Sequence, residues 1–141
     1  MPSLAGSTID VLNPYDERRI AVLSAATEED VNVAVTAAED AFYSQWRQSR
    51  GTDRAVLLSR LADLIQRDAA QFATIEAIDA GILFAESRDL NVQNAVDTLR
   101  YFSSIATGAA GQLLDIPNGY AYTLREPFGV CAAIVPWNAP L

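Results

Sequence analysis

The chain has 141 residues, half of them apolar and 20% charged, with ten Arg, no Lys and no His against 18 Asp and Glu, for a net charge of −8. The missing His rules out Ser-His and Cys-His catalytic pairs and histidine metal sites within the chain, and the missing Lys rules out Schiff-base chemistry. One cysteine, Cys131, can build neither a disulfide framework nor a zinc site.

The size is that of one domain, which ordinarily hides roughly 68–70% of the surface of its unfolded chain. An acidic chain without a basic cluster is a poor ligand for nucleic acid, because phosphate neutralisation needs clustered cations. Residues 1–7 carry neither a positive n-region nor an apolar h-region, so no signal peptide is expected. The longest charge-free stretches, 101–114 and 128–141, fall short of the roughly 18 residues that suggest a membrane span. The expectation is a cytoplasmic protein without a membrane partner.

In chain order, Thr8–Leu12 and Arg19–Leu23 flank the turn-forming residues Asn13-Pro14-Tyr15-Asp16-Glu17 and predict a β-hairpin. Thr27 followed by Glu28-Glu29-Asp30 reads as an N-cap with an acidic first turn. Val31, Ala34, Val35, Ala38, Ala41 and Phe42 then recur at helical spacing. After a break at 49–52, a second helix is expected from near Asp53, burying Leu57, Leu58, Leu61, Leu64 and Ile65. Asp68 is placed to cap a third helix carrying Phe72, Ile75 and Ile78, and Gly81 to end it. A fourth helix is expected from near Ser87 or Asp89, with Val92, Ala95, Val96, Leu99, Phe102 and Ala106 as its stripe.

The last thirty residues change character. Leu113–Ile116 and the alternating Tyr120–Glu126 predict two strands about the turn Pro117-Asn118-Gly119. Val130–Val135 is apolar on both faces, the mark of a strand buried in a parallel sheet. Parallel neighbours need crossovers of a dozen or more residues, and Leu141 comes before one could begin, so the chain is expected to be cut short.

Glu126-Pro127-Phe128-Gly129-Val130-Cys131 and Ile134-Val135-Pro136-Trp137-Asn138-Ala139-Pro140-Leu141 follow the pattern E-P-x-G-V-C-x-x-I-x-P-W-N-x-P-L. That pattern resembles the NAD(P)-dependent aldehyde dehydrogenases. The resemblance runs back along nearly the whole chain, through Arg100-Tyr101-Phe102, Arg54 to Arg67, the helix start at Ala26–Val31 and the turn at Asn13-Pro14. Two departures stand out. The family's L-D-x-G-K-P is replaced by Ile78-Asp79-Ala80-Gly81-Ile82-Leu83, and the often aromatic residue after the asparagine is Ala139, which implies extra room near the reacting carbon.

The resemblance implies an α/β fold of which this chain holds the N-terminal part. Residues 8–112 would form the hairpin and four helices after a flexible 1–7, residues 113–127 the strands of an oligomerisation-type sheet, and residues 128–141 the first strand and loop of an incomplete nucleotide-binding sheet. It implies that Asn138 stabilises an oxyanion and that Ile134, Val135, Pro136 and Trp137 line a cofactor. The complete enzyme would oxidise an aldehyde to a carboxylic acid with NAD or NADP. Its nucleophilic cysteine and general-base glutamate lie downstream of this chain. Cys131, mid-strand, reads as buried and inert; Glu28 and Glu29 read as helix-start acids, and Glu126 as a partner for Arg125 or another arginine. The chain alone is expected to be inactive, to bind neither cofactor nor metal, and to self-associate or join a full-length homologue. The alternative is a non-catalytic remnant that associates with full-length dehydrogenase subunits or has been recruited to another role.

Overall fold

A computed structural model describes residues 6–138 and 140–141. Strands β1 (Thr8–Leu12) and β2 (Arg19–Ser24) pair antiparallel as the predicted hairpin, from Thr8 opposite Ser24 to Leu12 opposite Arg19. Asn13 closes the turn as its side chain suggests, accepting from the Tyr15 amide at 2.8 Å.

Helix α1 (Glu28–Ser44) begins at the expected cap: Thr27 and Asp30 bond reciprocally, with the Thr27 amide donating to the Asp30 carboxylate at 2.8 Å. No residue of α1 is buried, so its apolar stripe remains uncovered apart from the half-buried Phe42. A single 3₁₀ turn, Trp46–Gln48, leads to α2 (Gly51–Arg67), which starts two residues earlier than expected. Asp53 sits in its first turn, where its carboxylate accepts from the Arg50 amide at 3.1 Å.

The break before α3 (Ala69–Ala80) falls at Asp68, but Asp68 does not cap that helix. Its carboxylate takes a two-pronged bond from the Arg67 guanidinium instead, at 2.9 and 2.6 Å. Gly81 ends α3 in the left-handed conformation, φ 70°, where only glycine is unstrained.

The fourth helical run starts earlier than its expected cap at Ser87. It consists of α4 (Phe84–Glu86), a π-helical turn (Ser87–Val92) and α5 (Gln93–Ile105). Ser87 is fully buried and its hydroxyl is engaged by α3, so it lies inside the run rather than before it.

The core sits where α5 lies along α2 and the π turn crosses α3. It is built from small residues: Ala62, Ala73, Val92 and Val96 are the buried apolar side chains among the described residues. Close approach explains the choice. A Cβ on Gly51 would come within 2.5 Å of the Ala106 carbonyl oxygen, and Ser103 donates to the Ala55 carbonyl at 2.8 Å. The expected leucine face of α2 is therefore not the buried one. Leu57, Leu61 and Leu64 stay exposed, Leu58 and Ile65 are half-buried, and Ala62 makes the contact. On α3, Ile75 and Ile78 are likewise exposed while Ala73 and Glu76 are buried; on α5, Phe102 is exposed.

Strands β3 (Leu113–Ile116) and β4 (Gly119–Tyr122) form the second hairpin, with Asn118 in the left-handed region at φ 68°. β4 ends at Tyr122, short of the expected Glu126, because β3 gives Tyr122 its last partner at Leu113. Val130–Val135 is not a strand in this structure: no other strand among the described residues pairs with it, and a ladder needs one.

The chain exposes 11207 Å². A folded monomer of its mass, 15.2 kDa, should expose only about 7,100 Å². It thus hides about half of its unfolded surface rather than the share expected for this size. The exposed area exceeds that of such a monomer by roughly 4,000 Å², and many Val, Leu, Ile, Tyr and Phe side chains are among the exposed ones.

Candidate functional site

The residues with chemical promise fall in the last segment, after β4. It runs without regular structure from Thr123 to Pro136 and bends at Trp137 and Asn138. Proline at 136 removes a backbone donor and fixes φ, which stiffens the approach to the asparagine. Asn138 is exposed. Ile134 is 103% exposed, Val135 71% and Trp137 87%. These side chains follow one another in sequence, and no helix among the described residues follows them in the chain. They make one wall, without the helix N-terminus that would cradle a dinucleotide's pyrophosphate. On their own they do not fit that cofactor. Ala139 lies outside the described residues, as do Met1–Ala5.

Cys131 is exposed, contrary to the expectation of burial, and its thiol faces the Gly129 carbonyl at 3.7 Å. The reason is the missing ladder: without flanking strands, the apolar run around it has nothing to be buried against. Glu126 makes no ion pair among the described residues, so the expected bond to Arg125 is absent. No group of three or more metal-ligating side chains occurs among the described residues.

The sequence reading missed one polar cluster. Glu76, 3% exposed, receives the Ser87 hydroxyl and, at 3.1 Å, the Asn91 amide. Both donors reach Oε2, while buried Oε1 has no partner. The available signal was a glutamate at position 76 between the apolar Ile75 and Ala77, three residues after the buried Ala73.

Comparison with known proteins decides the family. The family model described as the aldehyde dehydrogenase family matches residues 2–141.

The chain belongs to the aldehyde dehydrogenase family.

An aldehyde dehydrogenase of Emericella nidulans is 42% identical over 137 residues, covering 96% of this chain but 27% of its own length. The crystal structure of the aldehyde dehydrogenase KauB from Pseudomonas aeruginosa superposes with a TM-score of 0.95 at 32% identity, covering 100% of this chain and 29% of that one. The structure of PnpE in complex with nicotinamide adenine dinucleotide superposes with a TM-score of 0.80 at 34% identity over 84% of this chain and 24% of its own. The chain therefore spans less than a third of the relatives it matches, and corresponds to their N-terminal part. Helices and two small sheets are mixed as in that part of an aldehyde dehydrogenase. No helix among the described residues is long and apolar enough to cross a membrane.

Proposed function

We propose that these 141 residues contribute the oxyanion-stabilising amide and one wall of the cofactor site to an aldehyde dehydrogenase, and have no turnover by themselves. The complete enzyme oxidises an aldehyde to a carboxylic acid with NAD or NADP. The observation that carries this reading is the exposed Pro136-Trp137-Asn138 segment on a chain whose core is complete only around α2, α3 and α5.

The part played by Asn138 follows from the chemistry of a side-chain amide. A thiolate supplied from outside these 141 residues attacks the aldehyde carbon. The carbonyl π pair moves onto oxygen, and an oxyanion forms. Asn138 Nδ2–H donates to that oxygen. A neutral amide has no proton to lose, so it stabilises the developing charge without changing its own state, at about 2.7–4 kcal/mol for a well-placed donor. Trp137, Pro136, Val135 and Ile134 offer an apolar and aromatic surface against which a flat ring can lie. Cys131 is not the nucleophile in this reading: the resemblance aligns it with the strand cysteine that follows the family's E-P-x-G-V. We place the protein in the cytoplasm, with neither nucleic acid nor membrane as partner.

The uncovered surface supports a second part of the reading. Roughly 4,000 Å² in excess of a normal monomer, on one chain alone, is several times the roughly 800 Å² that a standard interface takes from each partner, and matches a permanent contact rather than a transient one. It fits a chain that associates with itself or with a full-length subunit through β3, β4 and the 128–137 segment. A non-catalytic remnant would do the same, and turnover separates the two. The purified chain with an aldehyde and NAD⁺ should produce no NADH above background, and should gain turnover when mixed with a polypeptide carrying the rest of an aldehyde dehydrogenase. Turnover by the chain alone would overturn the proposal; no gain in the mixture would favour the remnant.

A further inference from the structure

The chain is strongly acidic, so each guanidinium has carboxylates to choose from. Six of the ten arginines take one: Arg18 with Asp16, Arg19 with Asp10, Arg50 with Asp53, Arg67 with Asp68, Arg88 with Asp89 and Arg100 with Asp63. Arg47, Arg54, Arg60 and Arg125 form no ion pair among the described residues. Three of these four, Arg47, Arg54 and Arg125, line a single groove between the 3₁₀ turn after α1 and the segment following β4.

That groove has a volume of about 440 Å³, within the roughly 300–1,000 Å³ of small-molecule sites. Arg54 is held in place by its own bonds, donating to the Ser49 carbonyl at 2.6 Å and to the Ser49 hydroxyl at 3.2 Å. The aromatic rings of Phe42 and Trp46 form part of the lining. Glu126 is the only carboxylate of the lining and bonds none of the three arginines, so the groove carries a net charge of about +2 on a chain of charge −8. Guanidinium forks suit tetrahedral and planar oxyanions alike, and a surplus of two positive charges suits a dianion.

We propose that the groove lined by Arg47, Arg54 and Arg125 binds a phosphate dianion, free or as the monoester of a flat organic body that lies on Trp46 and Phe42. The site is separate from the Ile134–Asn138 segment and shares no residue with it. Inorganic phosphate and phenyl phosphate distinguish the two sources. Trp46 is the reporter, in a Trp137→Phe background that removes the other indole.

Each phosphate should change Trp46 emission saturably at constant ionic strength, and phenyl phosphate should bind more tightly if the ester is the true occupant. Arg47→Gln and Arg125→Gln should each weaken binding at least about tenfold. Arg60→Gln, which alters the unpaired arginine outside the groove, should leave it unchanged. Both groove variants remove exposed side chains, and an unaltered helical circular dichroism spectrum verifies that they fold. A response equalled by chloride, or one that survives the loss of Arg47 and Arg125, would refute the site.

Discussion

Replacing Ser87 with Ala tests the one buried polar cluster of the fold. Ser87 is fully buried and Glu76 is 3% exposed, so water cannot stand in for the lost hydroxyl. Glu76 Oε1 has no partner in the native state, and Oε2 would be left with the Asn91 amide alone. Leaving a buried carboxyl short of a donor costs about 1.5–3 kcal/mol. For a chain of this length each kcal/mol moves the melting temperature by about 3–4 °C, so Ser87→Ala should melt about 5–10 °C lower. Thermal unfolding followed by circular dichroism reads this directly. The companion is Glu76→Leu with Ser87→Ala, which removes donor and acceptor together and fills the space with an apolar chain of similar size. It should recover most of the loss, because the buried carboxyl goes together with its buried donor, and the one group that loses an acceptor, the Asn91 amide, is only half-buried. Two results would refute the reasoning: an unchanged melting temperature for Ser87→Ala, or a double variant that melts no higher than the single one.

Other outcomes follow from the same geometry. Asn138→Ala, measured in a complex that supplies the missing nucleophile and base, should lower kcat about 10²–10³-fold. It should leave the chain's own melting unchanged, since Asn138 is exposed and outside the core. Cys131 should react fully with a thiol reagent without denaturant, because it is exposed, and should become protected once a partner covers the 128–137 segment. The side-chain bonds from Arg50, Arg67 and Arg88 hold the carboxyls of Asp53, Asp68 and Asp89 below their ordinary range. A depressed carboxyl contributes stability above its unfolded pKa of about 3.9 and loses it as pH falls through the folded value. The melting-temperature difference between wild type and an Arg50→Gln, Arg67→Gln, Arg88→Gln variant should thus be constant above about pH 5 and shrink below about pH 4. All three pairs are solvent-exposed, so the difference should be small and reduced by salt.

Local chemistry was legible in the sequence wherever it is settled by residues close in the chain. The Asn13-Pro14 turn, the Thr27–Asp30 cap, the glycine stop at 81 and the Pro117-Asn118-Gly119 hairpin depend on bonds and dihedral angles within a few residues. Burial was not legible in the same way. Periodicity marks a leucine face on α2, but which face is covered depends on the partner helix, and α5 approaches over Ala62 and Gly51 because only small residues admit it. The starting residue of the fourth helical run was obscured by the same kind of distant contact, with Ser87 committed to Glu76.

The candidate site shows the limit most clearly. Val130–Val135 carries a strand's composition, yet a strand is a property of two segments, and no second segment pairs with it here. The motif residues could be picked out from their types and spacing, but the stretch that carries them has no covering neighbours in this structure, so Ile134 and Trp137 stand in solvent. The exposed apolar surface and the incomplete site therefore have one physical cause: side chains suited to a sheet interior with no sheet around them.

Sedimentation velocity with a hydrophobic dye tests that account most directly. The purified chain should bind the dye and sediment as a concentration-dependent associating species, and a full-length aldehyde dehydrogenase subunit that covers the surface should suppress the dye signal. A well-folded, monodisperse monomer that leaves the dye dark would contradict it, because the excess apolar area would then be hidden within the chain itself.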